Sequence, residues 1–163
     1  MRWLVAVLAA ASTLAACAPA YDSIADQLVA DTQKQADQGL LKLENLAMTI
    51  DRLTQSRAAD DRKALADAKV RASYASNMDF YNDLQSSLCV LDARMTATPE
   101  LSTAKLTNAL SRLEENASEV RTAHASQNLL SADYLKASRQ MLDQQFRALT
   151  VYELTIRSGG KPQ

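Results

Sequence analysis

Apolar side chains recur along this chain at alternating intervals of three and four residues, the spacing that lines one face of an α-helix. Four stretches carry it. The first runs from about Asp22 to Ser56, with Ala36, Gly39, Leu43, Leu46, Ile50 and Leu53 on one stripe. The second runs from about Asp61 to Thr96 and carries Leu65, Ala68, Tyr81, Leu84, Leu88, Leu91 and Met95. A third opens at Thr98-Pro99-Glu100, where threonine caps and proline suits the first helical position. Its stripe is Leu106, Leu110, Leu113, Ala117, Val120 and then His124. Ser131 caps the fourth, whose stripe is Leu135, Ser138, Leu142, Gln145, Leu149, Tyr152 and Ile156, and Gly159-Gly160 ends it. No strand-like alternation and no tandem repeat stands out. The pattern predicts an all-α fold, an antiparallel up-down-up-down bundle of four helices over residues 22–158, because short connections favour antiparallel neighbours. The first two helices, about 35 residues each, outrun the last two at about 26, so the first hairpin should project past the second.

The N-terminus follows another rule. After Arg2 comes an uncharged run from Trp3 to Ala16, 14 residues, short of the roughly 18 to 20 that a spanning helix needs. A charged start and an apolar middle describe a secretory signal. The run closes on Leu14-Ala15-Ala16-Cys17, which resembles the bacterial lipobox. That resemblance implies a diacylglycerol on the Cys17 sulfur and cleavage just before it. The alternative is an ordinary signal peptide with Cys17 incidental. On the lipobox reading, residues 1–16 are a cleaved lipoprotein signal peptide and residues 17–21 are the lipidated cysteine and a short tether. Residues 159–163 form a flexible C-terminal tail. Position 18 is alanine rather than the aspartate of an inner-membrane retention signal, which points to the outer membrane, periplasmic side. Five steps separate Cys17 from Asp22, at most about 18 Å when fully extended, so the helical domain is expected close to the bilayer.

Composition narrows the partners. Removing 16 of 163 residues leaves 147, a single-domain length. Arg2 leaves with them, so 17 basic side chains face 19 acidic ones, a formal charge of −2. There is no basic excess to neutralise nucleic-acid phosphates, and no nucleic-acid partner is expected. The membrane, through the lipid anchor, is the expected partner, together with an envelope protein. Two cysteines in an exported chain would ordinarily pair, but a thioether at Cys17 leaves Cys89 alone.

Little here points to chemistry. His124 is the sole histidine, so a multi-histidine metal site is unavailable, and no cofactor or metal is expected. Ser126, Ser131 and Asp133 lie near it, yet no nucleophile motif or glycine-rich turn accompanies them. His124 instead continues the seam to a helix end, where an imidazolium would suit the dipole. Not an enzyme is the resulting expectation. Cys89 is either a small, partly buried hydrophobe or a redox or intermolecular-disulfide site. Asp60 and Asp61 suit a cap and a first helical turn. Gly39 either lets two helices approach closely or marks a kink. Tyr74, Met78 and Tyr81 form a helical row that reads as core, with a pocket for a small apolar ligand as the alternative. Arg57, Asp60, Asp61, Arg62 and Lys63 at one turn, with Leu129 and Leu130 at another, are the candidate partner surface, a charged rim about an apolar centre. The two leucines otherwise simply cover the end of the bundle.

Three segments, "YDSIADQL", "FYNDLQSSLCVLDAR" and "LDQQFRALTVYELTIRSG", resemble those of small helical lipoproteins of Gram-negative bacteria whose function is uncharacterised. The resemblance implies the helical fold and the anchor, and it brings no catalytic residues. The functional expectation is a lipid-anchored envelope lipoprotein, a non-enzymatic interaction or structural protein facing the periplasm. The alternative is a helical-bundle carrier or sensor of a small apolar ligand.

Overall fold

Between Ser23 and Gln55 the chain holds no proline and one glycine, and it runs as a single helix, α1 (Ser23–Gln55), 33 residues or about 50 Å long. The computed structural model describes residues 23–56, 58, 61–99 and 101–157, with side chains as far as residue 155. After α1 come α2 (Asp61–Ala72), a single 3-10 turn (Ala75–Asn77), α3 (Met78–Ala97), α4 (Ala104–Gln127) and α5 (Ala132–Arg157). The described residues are all-helical, without a strand.

The helix expected from Asp61 to Thr96 is in fact two. Its interior reads Ser73-Tyr74-Ala75-Ser76-Asn77, and short polar side chains there compete with the helical ladder. The buried Asn77 amide donates to the carbonyls of Arg71 (2.8 Å) and Ser73 (2.9 Å), while the Ser73 hydroxyl donates to the carbonyl of Val70 (2.7 Å). Carbonyls that would have accepted from the next turn are taken by side chains, and the helix stops. The helix expected to open at Thr98 starts six residues later, at Ala104. A residue before proline is pushed toward extended backbone, and Thr98 sits at φ −97°, ψ 108° as the end of α3. Thr103 is the cap instead, its hydroxyl accepting from the Leu106 N–H. Ser131 caps α5 as its position implies, accepting from the Tyr134 N–H at 3.2 Å.

α1 touches α2, α3 and α5, and α4 touches α3 and α5. Cross-helix bonds give the directions. Gln33 and Asp37 on α1 meet Asp143 and Arg139 on α5, and Tyr81 and Gln85 on α3 meet His124 and Arg121 on α4. In both pairs one number rises as the other falls, so the helices run antiparallel. Between them lies one core built from Val29, Leu40, Leu43, Leu88, Leu91, Leu110, Leu113, Leu142, Phe146 and Leu149, among others. Leu40 and Phe146 take seam positions that the stripes assigned to Gly39 and Gln145. Gly39 instead lies under the Phe80 ring, which a Cβ at this position would strike. It marks a close approach of two helices, and α1 continues through it.

Candidate functional site

No residue of α1 beyond Ala47, and none of α2 before Ala68, is buried. The Tyr74 N–H donates to the carbonyl of Asn128 (3.2 Å), which sets the α4–α5 turn level with the end of α2. Residues 48–55 and 61–67 therefore form the unburied outer two turns of a two-helix projection beyond that turn. Its open side is a groove with Leu46, Leu53 and Ala68 along the floor and Arg52, Asp67 and Arg71 on the rim. Leu41 at its lower edge is 37% exposed, and Met48 and Val70 add further apolar surface nearby.

Of the residues expected to meet a partner, Asp61, Arg62 and Lys63 lie at the start of α2, and the latter two are exposed. Arg57 and Asp60 fall outside the described residues, as do Cys17, the signal and tether segments and the C-terminal tail. Leu129 is half-buried and Leu130, 7% exposed, belongs to the core. From Asp61 to the level of Tyr74 is 13 residues, about 20 Å of helical rise. The charged tip and the leucine turn are thus two places and not one.

A second concave site lies between α3 and α4, a cleft of about 100 Å³. Leu84, Leu88 and Ala117 supply apolar walls, and Arg121, Glu114 and Cys89 supply the polar ones. The Arg121 guanidinium donates to three neutral oxygens: Asn82 Oδ1 (2.7 Å), Gln85 Oε1 (2.9 Å) and Tyr74 Oη (3.3 Å). Burial first, and then the Asp92 carboxylate, raises the Glu114 carboxyl above its ordinary range. Cys89 is a free, exposed thiol at this cleft and not the partly buried hydrophobe of the simpler reading.

His124 is fully engaged elsewhere. Its Nε2 lies 2.9 Å from the carbonyl of Ala72, which can only accept, so Nε2 carries the proton. Nδ1 then accepts from the Tyr81 hydroxyl at 2.9 Å. Burial lowers the imidazole pKa from its ordinary 6.5, against the upward pull of its hydrogen bonding with the backbone of Ala72 and Asn128. The imidazolium expected at the helix end is therefore replaced by a neutral ring in the core. Ser126 donates to the carbonyl of Ala123 and Ser131 caps α5, so neither reaches the histidine as a nucleophile. Tyr74 and Tyr81 stack with centroids 5.9 Å apart, and both meet the imidazole edge-on, a packed aromatic cluster.

Arg139 on α5 bridges Asp37 and the buried Glu44 on α1, both at 3.0 Å. Hydrogen bonds to the two carboxylates hold its guanidinium pKa above the ordinary value. Periodicity could not reveal this bridge or the Arg121 network, because both join polar side chains from helices distant in sequence. Among the described residues no group of three or more His, Cys, Asp or Glu side chains is placed to hold a metal ion, and no helix is long and apolar enough to cross a membrane. No protein-family model, curated protein or solved structure matches this chain.

Proposed function

We propose that this chain is a lipid-anchored envelope protein without enzymatic activity, held to the outer membrane through Cys17 and docking another envelope protein with its α1–α2 hairpin. In this reading the five helices form an antiparallel bundle of four legs, the second leg being α2 and α3 together. The observation that carries the docking proposal is the groove on the hairpin, with its leucine floor and its rim of Arg52, Asp67 and Arg71. An apolar centre inside a charged rim is the usual anatomy of a protein–protein interface. Its place in the molecule supports the same reading. α1 leads from the tethered end of the domain to the hairpin, and the groove spans Gln38 to Leu53, about 20 to 45 Å along the helix from its start.

The two halves are tested separately. Cys17→Ser removes incorporation of a fatty-acid analogue, and unchanged label on that variant would refute the anchor. For the docking face, photocrosslinking residues are placed in cells at positions 41, 53 and 64 in the groove, and at 97 and 105 at the opposite end. Crosslinks to one protein from the groove positions alone are expected. Crosslinks from the opposite end alone would overturn the assignment of the hairpin.

A further inference from the structure

The Arg121 guanidinium has five N–H donors, and three of them are spent on Tyr74, Asn82 and Gln85. Those oxygens orient the group without cancelling its charge. Among the described residues no carboxylate lies within ion-pair distance of it. Glu114 lies on the same helix and lines the same cleft, but it stands seven residues away, about 10 Å along the axis. Between the two charges run the apolar walls, Leu84, Leu88 and Ala117, enclosing about 100 Å³, room for a handful of non-hydrogen atoms.

We propose that the α3–α4 cleft is a binding site for a short aliphatic monocarboxylate, its carboxylate on Arg121 and its chain along Leu84, Leu88 and Ala117. The chemistry of the lining selects this class. A guanidinium is planar and delocalised and hydrogen-bonds carboxylates well, and one that is already oriented loses little freedom on binding. A doubly charged phosphate would find a single cation here, with no lysine or second arginine lining the cleft. A dicarboxylate would bring its second charge toward Glu114, which disfavours it. A neutral alcohol of the same length would fill the apolar walls but leave the arginine without an anion. The site depends neither on the lipid anchor nor on the hairpin.

The test is titration of the purified full chain with butyrate, followed by amide and leucine-methyl NMR shifts, beside butanol, succinate and inorganic phosphate. Butyrate is expected to give saturable shifts confined to residues 81–89 and 114–121, with the other three at least tenfold weaker. Arg121→Gln should weaken butyrate binding at least tenfold. Because that variant also removes bonds to α3, Ser118→Phe provides an independent arm. Ser118 is an exposed residue on the lip of the cleft, so an aromatic ring there should block entry while far-UV circular dichroism and the Arg121 network stay unchanged. No localised shift with butyrate, an equal response to butanol, or wild-type binding in a folded Ser118→Phe chain would each overturn the proposal.

Discussion

Gly39 and Phe80 show how one missing carbon sets a helix contact. A glycine within a helix costs about 1 kcal/mol relative to alanine, so on propensity alone α1 would be better with alanine there. It tolerates the glycine because the Phe80 ring of α3 occupies the space of the absent Cβ. Gly39→Ala should therefore destabilise the protein by about 1–2 kcal/mol, the overpacking outweighing the gain in helix propensity. In a Phe80→Ala background the sign should reverse, with Gly39→Ala stabilising by up to about 1 kcal/mol. Urea midpoints of the four proteins in this double-mutant cycle decide it. Additive effects across the cycle would mean that the two residues do not press on each other.

At the scale of elements, the joint between α2 and α3 is held from outside. The Asn77 and Ser73 side chains stop the helix, and α4 then clasps the ends it leaves. His124 donates to the last residue of α2, Ala72, and accepts from Tyr81 on α3, while Asn128, at φ 63°, takes the Tyr74 N–H. This clasp needs a neutral imidazole, and its folded pKa is depressed below the 6.5 of the free group. As pH falls through 6.5 the unfolded chain binds a proton that the native state refuses. Stability fully present above that value is then lost down to the folded pKa, at no more than about 1.4 kcal/mol per pH unit. The urea midpoint should accordingly drop as pH falls below about 6.5, and His124→Gln should flatten that part of the profile. Equal slopes in the two proteins would place the titrating group elsewhere.

For the molecule as a whole, burial is uneven along its length. From Val29 to Ala47 α1 is walled by the other helices, while residues 48–55 and 61–67 have only each other. Hydrogen-exchange protection follows buried contact. Amides of the projecting hairpin should therefore exchange through local opening. Those around Leu91, Leu113 and Leu149, all fully buried, should exchange only on global unfolding. Hairpin amides as protected as Leu113 would mean that something covers the groove in solution. A hairpin that opens cheaply can adjust to a partner without disturbing the core beneath it.

The helices themselves were legible from the chain alone, because a repeat of three and four residues is a local pattern and burial of one stripe follows from it. Leu88, Leu91, Leu113, Leu142 and Leu149 stand on such stripes and all are buried. Where a stripe had two adjacent apolar candidates, as at Gly39 and Leu40, only the neighbouring helix decided which faced inward. The break at Ser73–Asn77 was written in short polar residues, but the hydrogen bonds that clasp its ends come from α4 and the α4–α5 turn, fifty residues away, where no local pattern shows them. The same holds for the neutral tautomer of His124, the bridge from Arg139 to Asp37 and Glu44, and the orientation of Arg121. Local sequence determines which residues repeat, cap and terminate. Pairing of polar groups across helices is a long-range choice, and only the packed chain makes it.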